Sequence, residues 1–444
     1  MILAGVSISL LLDENGIIKK SKDARREYGQ AKANEQEDLS NLSDMIDEAT
    51  AEPPPKVDVN TKAGDNSTIN GKKGNSNNPT IPKNYIPIDT ATSTWGDGSS
   101  APSQDSVNHG LVIKDEQNNE WVWIPVDKAT LATMYEESSD EKTLCGTTGE
   151  TAVKTKLYSK TMTIGTDSNK KTMSRTTPGT TADPYSREPD LVVESGSSYD
   201  AKDTYYKTIL GETGTKEQLA QLFVDEYKAM IESVSKYGGF YIGRYELSEA
   251  GVQKDRQPLT NTNWYNLYNV CRDSKLQASD KVKTQMIWGC QWDVTMNWLI
   301  SSGAKTSDEV NKDSSSWGNY EGTSVKADDG TTEIKANGTS AKLNTGKTTF
   351  TMANNIYDLA GNCYEWTQEA YGTYRRDVRG GYYNINGPSY PASSHNNFFP
   401  DYSGYDDGRY SSYFNNKVKI EEYKFKCVKS KKCRTLGHEH QCEE

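Results

Sequence analysis

The sequence predicts an α+β fold of short twisted strands with two or three helices, preceded by a long N-terminal helix. Three observations carry this. Short β-branched and aromatic runs are broken by Gly, Asn and Pro. Two or three segments place apolar residues at helical spacing. Mean hydropathy is −0.83 with 34% hydrophobic residues, so part of the 444-residue chain is expected to be loop or linker.

Residues 1–12 are apolar but shorter than the roughly 20 residues needed to span a bilayer. They run into a polar stretch in which Ile17, Ile18, Ala24, Tyr28, Ala31, Leu39, Leu42, Met45 and Ile46 form a thin apolar stripe. Residues 1–49 therefore read as one helix, which could also self-associate. Residues 50–82, rich in Pro, Gly, Asn and Lys, read as a flexible linker. A domain is expected over residues 83–416, with insertions at 127–214 and 303–350, and an atypical tail at 417–444.

Within that domain, residues 110–114 and 120–126 predict a β-hairpin with Trp121 and Trp123 on one face. Thr215 and Gln218 make a capping box, and Leu219, Leu222, Phe223, Tyr227, Met230, Ile231 and Val234 follow on one helical face. A strand is predicted at 238–246. Helices follow at 263–271, through Trp264, Leu267, Tyr268 and Cys271, and at 291–300, through Trp292, Met296 and Leu299. A tight turn at Ala360-Gly361-Asn362 then leads to Arg379-Gly380-Gly381. Neither insertion shows sustained periodicity.

The segment after Gly381 is the most unusual in composition. Residues 382–416 hold seven Tyr, six Asn, six Ser and three Asp, and no Lys, Glu, Gln, Met, Trp, Leu, Val, Thr or Cys. This matches the chemistry of combining sites, where Tyr gives rigid contact area and Ser, Asn and Gly give adaptable hydrogen bonds. It also matches a low-complexity loop. On the first reading the rigid anchors are Tyr383, Tyr390, Phe398, Phe399, Tyr402 and Tyr405. The polar contacts are Asn384, Asn386, Ser389, Ser393, Ser394, His395, Asn396, Asn397, Ser403, Asp406 and Asp407.

A net charge of −11 argues against nucleic-acid binding. Seven scattered cysteines include no C-x-x-C pair. No cofactor or metal is expected. Asp401, Asp406 and Asp407 read as hydrated carboxylates, and Cys427, Cys433, His438, His440 and Cys442 match no closed zinc spacing.

Residues 240–246 (F-Y-I-G-R-Y-E), 263–271, 286–293, 356–366 (I-Y-D-L-A-G-N-C-Y-E-W) and 378–383 (V-R-G-G-Y-Y) together resemble the formylglycine-generating-enzyme-like branch of the C-type lectin fold. Within that branch the chain is similar to the variable proteins of diversity-generating retroelements, whose segment after the Gly-Gly is hypervariable. Adenine substitution there yields NNC codons, which cannot encode Lys, Glu, Gln, Met or Trp. The resemblance implies a diversified binding surface at about 382–413. Residues 1–50 resemble the second half of a type IV pilin-like spine and its exit, with the upstream part missing. That implies display on a bacterial surface, membrane-anchored or pilus-associated, with a protein or glycan ligand on another cell, a phage or a host.

Two alternatives stay open: a copper-dependent formylglycine-generating oxidase and a structural pilin-like subunit. The catalytic family binds copper through two cysteines just beyond the Gly-Gly, where this chain has about Asn384 and Ser389, so a non-enzyme is expected. The family's closing strand begins Gly-Phe-Arg. Here Gly408-Arg409-Tyr410 stands instead, and residues 418–427, with partial alternation, are the candidate replacement.

Overall fold

The computed structural model describes residues 52–145, 152–160, 162–165, 188–189, 205–371, 375–401, 414–415 and 418–422. The chain divides into units Met1–Pro53 and Pro54–Glu444, and what is described lies almost wholly in the second. The predicted N-terminal helix falls outside the described residues. No helix among them is long and apolar enough to cross a membrane.

The second unit is mixed α+β, built on two sheets. Strands β1 (Ile86–Ile88), β2 (Val112–Lys114), β3 (Glu120–Pro125), β4 (Gly239–Gly243) and β5 (Val282–Met286) belong to the first. Strands β6 (Tyr364–Tyr371), β7 (Arg375–Arg379), β8 (His395–Phe398) and β9 (Phe414–Asn415) form the second. Strand β10 (Val418–Glu422) returns to the first sheet, whose order is β1-β2-β3-β4-β10-β5, antiparallel throughout. The candidate replacement strand thus joins the sheet between β4 and β5. The second sheet has the order β8-β7-β6-β9, antiparallel except for the β6–β9 pair.

The 110–126 hairpin forms as predicted, with Val112 opposite Val122. Strand β3 is covered on both faces. Trp121 and Trp123 enter one apolar cluster, while Val122 and Ile124 enter a second, so both of its side-chain rows are core.

Helix α1 (Lys216–Tyr237) starts at the Thr215–Gln218 capping box and stops at Gly238, in the left-handed region at φ 74°. Its buried face runs Leu219, Phe223, Tyr227, Met230, Ile231 and Val234. Helix α2 (Trp264–Cys271) is capped by Asn263, whose side chain accepts from the Asn266 N–H. Helix α3 (Gly289–Ser301) is buried along most of its circumference. Its first turn receives a carboxylate from far away in sequence: Glu188 accepts from Gly289 N at 2.7 Å and Cys290 N at 3.1 Å.

Two expectations are corrected. Residues 54–82 are part of the domain rather than a free linker: Val57, Ala63, Ile69 and Ile81 are buried in the first cluster. Val57 N donates to Thr68 O at 3.1 Å and Ile81 N to Ser67 O at 2.7 Å. The local composition is that of turns, with left-handed Asn60, Asn66 and Gly71, and each sparse apolar residue finds its cover only at long range. Likewise the 303–350 stretch is integral, because Val310, Trp317 and Tyr320 are core. Within 127–214, a helix Lys128–Met134 and an antiparallel pair Tyr135–Cys145 with Val153–Ser159 are formed.

Candidate ligand-binding surface

Residues 358–363 form a clamp beneath the candidate surface. Asn362, fully buried at φ 60°, spends its whole carboxamide there. Its Nδ2 donates to Glu246 Oε2 at 2.6 Å and Leu343 O at 3.2 Å, while Oδ1 accepts from Asn319 Nδ2 and Leu343 N, both at 2.9 Å. Glu246, buried in turn, also accepts from Cys363 N at 3.2 Å. The loop's main chain then locates the segment beyond it: Gly361 N donates to Gly380 O at 2.7 Å and Tyr383 N to Asn362 O at 3.1 Å. At Gly381, φ is 75°, and a Cβ would stand 2.5 Å from the Tyr390 carbonyl oxygen. Only glycine fits that approach.

Under the segment lies a buried ionic knot. Arg379, with no exposed surface, reaches Asp293 at 2.7 Å and Glu369 at 3.3 Å through Nη2. Its Nε lies 3.1 Å from Asp377, an ion-pair contact without hydrogen-bond alignment. His395 Nδ1 sits 2.6 Å from Asp377 Oδ2 and 3.5 Å from Glu369 Oε2. Glu369, Asp377 and His395 are grouped closely enough to hold a metal ion. The Arg379 guanidinium, however, already lies against both carboxylates and supplies the positive charge. The donor set therefore fits an ionic cross-link better than a cation site.

Scaffold residues grip the segment by its main chain. The Tyr320 hydroxyl lies 2.9 Å from Gly380 O and 3.0 Å from Tyr390 O. Glu321 N donates to Ile385 O at 3.0 Å, Trp292 Nε1 to Ala392 O at 3.1 Å, and Trp264 N to Pro400 O at 3.0 Å. Ser393 N donates to Val310 O, and Ala392 N to the Ser314 hydroxyl. These contacts place the chain without specifying most of the side chains it carries.

What remains outward is an aromatic and amide face. Tyr382, Tyr383, Tyr390 and Phe398 are half-buried against the first cluster. Three of them surround Tyr364, with ring centroids at 4.8 Å (Tyr382), 6.1 Å (Tyr390) and 5.9 Å (Phe398). Asn384 and Asn386 are exposed, Ser389 and Asn396 half-exposed, and Phe399 lies under Arg375 at 4.5 Å.

Strand β8 splits the predicted contacts by parity. Asn396 and Phe398 face the aromatic patch, and Asn396 Nδ2 donates to the Tyr364 hydroxyl at 3.1 Å. His395 and Asn397 face inward, to Asp377 and to Arg375 Nη1, which donates to Asn397 Oδ1 at 2.8 Å. Ser393, Ser394, His395 and Asn397 are each 5% exposed or less. Their expected place among outward contacts is corrected: they are the underside of the segment, with His395 held by the ionic knot and Asn397 by Arg375. Tyr402, Ser403, Tyr405, Asp406 and Asp407 lie outside the described residues.

No family model and no curated protein matches this chain. Among solved structures it is similar to PvdO from Pseudomonas aeruginosa, at 15% identity over 42% of this chain and 81% of that one, with a TM-score of 0.25. It is also similar to variable protein 1 of Treponema denticola, at 12% identity over 68% of this chain and 96% of that one, with a TM-score of 0.21. Overlap at this level carries no weight for what the site does.

Tyr364, Arg375 and Ser340 were missed as parts of this surface. Tyr364 is the floor of the patch, and burial pushes its hydroxyl well above the usual tyrosine range. The alternation of Tyr364 with Trp366 on β6 was the available signal. Ser340 donates to Asn384 Oδ1 from a polar loop that carried none.

Proposed function

We propose that the chain is a surface-displayed ligand-binding protein. Its contact face is the Tyr/Asn/Ser-rich segment at about 382–413, carried on a scaffold of C-type lectin type. The observation that carries this is the division of labour at the segment. Its main chain is held by Trp264, Trp292, Tyr320 and Glu321, all outside it, while Tyr382, Tyr383, Asn384, Asn386 and Tyr390 project from that frame. A half-exposed aromatic cluster rimmed by amides has the make-up of a contact surface for a protein or a glycan. Display on a bacterial surface through residues 1–49 belongs to the same proposal.

We further infer binding rather than catalysis. Asn384 and Ser389, at about the positions of the family's copper-binding cysteines, offer no thiolate. Cys363 is buried, and that burial pushes its thiol well up, away from the reactive thiolate form.

The test is a screen of the labelled full chain against arrayed glycans and against intact bacterial, phage and host-cell surfaces. A Tyr383→Ala/Tyr390→Ala variant with an unchanged melting temperature should bind at least one ligand so found about tenfold more weakly or worse. Undiminished binding of every such ligand by that variant would sink the proposal.

A further inference from the structure

A concave site lies along the C-terminal half of α3. Trp292 and Asp293 of that helix hold the 379–392 region, whereas Val294, Asn297, Trp298 and Ser301 line a cleft of about 800 Å³. None of residues 382–401 contributes to it. The volume lies within the range of small-molecule sites.

The lining is chemically selective. Among the described lining residues the single ionisable side chain is Asp127, whose Oδ1 is engaged by the Thr130 N–H as the cap of helix Lys128–Met134. The rim carries carboxamides. Gln104 Nε2 donates to Asn108 Oδ1 at 2.9 Å, and the Gln104 carbonyl and the Asn108 N–H groups have no partner among the described residues. The side chain of Asn77 is exposed and has none among the described residues. The floor is apolar, from Met162 and Trp298, both buried. The Trp298 indole N–H is buried with no acceptor among the described residues, a state that costs stability unless water or a ligand answers it.

We propose that this cleft binds a neutral oligosaccharide. A sugar presents hydroxyls that donate and accept at once around an apolar ring of C–H groups. Carboxamides are the uncharged side chains that do both in return. An anionic ligand would meet the Asp127 carboxylate and no cation among the described lining residues. The cleft shares no lining residue with 382–401, so the two readings can fail separately.

The experiment uses the full chain and saturation-transfer NMR with calorimetry. The probes are maltotriose, cellotriose, mannotriose and N-acetylated chitotriose at about 10 mM, the range suited to weak single-site binding. Trigalacturonate and an acetylated trialanine amide serve as charged and peptide comparators. At least one neutral trisaccharide should bind saturably. Asn77→Ala/Gln104→Ala, two surface changes that leave the melting temperature in place, should weaken it roughly tenfold. Tyr383→Ala/Tyr390→Ala should leave that binding unchanged. The proposal is overturned if none of the four sugars binds, if the Asn77/Gln104 variant binds as well as the parent, or if a comparator binds equally.

Discussion

The indole N–H of Trp292 donates to the main-chain carbonyl of Ala392 at 3.1 Å. A core tryptophan on α3 thereby grips the Tyr/Asn/Ser-rich segment at a point that every residue type possesses. With the Tyr320 hydroxyl at Gly380 and Tyr390, it separates where the segment runs from what it displays.

That separation predicts unequal tolerance along the segment. Ser389→Tyr and Ser389→Asn, at an outward position, should change unfolding free energy by no more than about 0.5 kcal/mol. Ala392→Tyr, at a fully buried position, should cost several-fold more through overpacking. Chemical denaturation of the three variants reads this directly, and equal costs would contradict it.

Asn362 should be among the least replaceable polar residues. Asn362→Ala leaves the buried Glu246 carboxylate and the Asn319 amide short of partners and puts alanine at φ 60°. A loss of roughly 3 kcal/mol is expected in denaturant melts.

Arg379 stands among three buried carboxylates. Arg379→Met should destabilise by roughly 3–5 kcal/mol, since it strands like charges in the interior. Arg379→Lys should rescue little, because one ammonium cannot reach Asp293, Glu369 and Asp377 in the geometry of the guanidinium fork. A lysine variant as stable as the parent would remove the geometric part of this claim.

Alkaline pH should unfold the domain through its tyrosines. Burial raises Tyr227, Tyr245, Tyr268, Tyr320 and Tyr364 above the ordinary range. Above a pH of about 10, tyrosines of the unfolded chain lose protons that the folded chain retains. The unfolded state then binds fewer protons, and stability falls with rising pH. Below that range this contribution is fully present. Tyrosinate absorbance should therefore rise cooperatively with loss of near-UV dichroism rather than as independent titrations.

Features that depend on near neighbours were legible in the sequence. The Thr215–Gln218 box and the 110–126 hairpin pair residues close in sequence, so composition and spacing suffice. Strand β8 was not legible in the same way. In His-Asn-Asn-Phe both faces carry polar residues, so alternation gives no contrast between inside and outside. The side that is buried is chosen by Asp377 and Glu369, which are distant in sequence.

By itself the sequence determined the Thr215-capped helix start, the 110–126 hairpin and the exceptional chemistry of 382–416. Only the tertiary structure decided that residues 54–82 pack into the domain and that Tyr320 and Trp292 seat the segment. It also decided that His395 and Asn397 point down while Asn396 and Phe398 point out. The reason is physical: local signals set dihedral angles and caps, whereas burial depends on which remote surfaces close over a side chain.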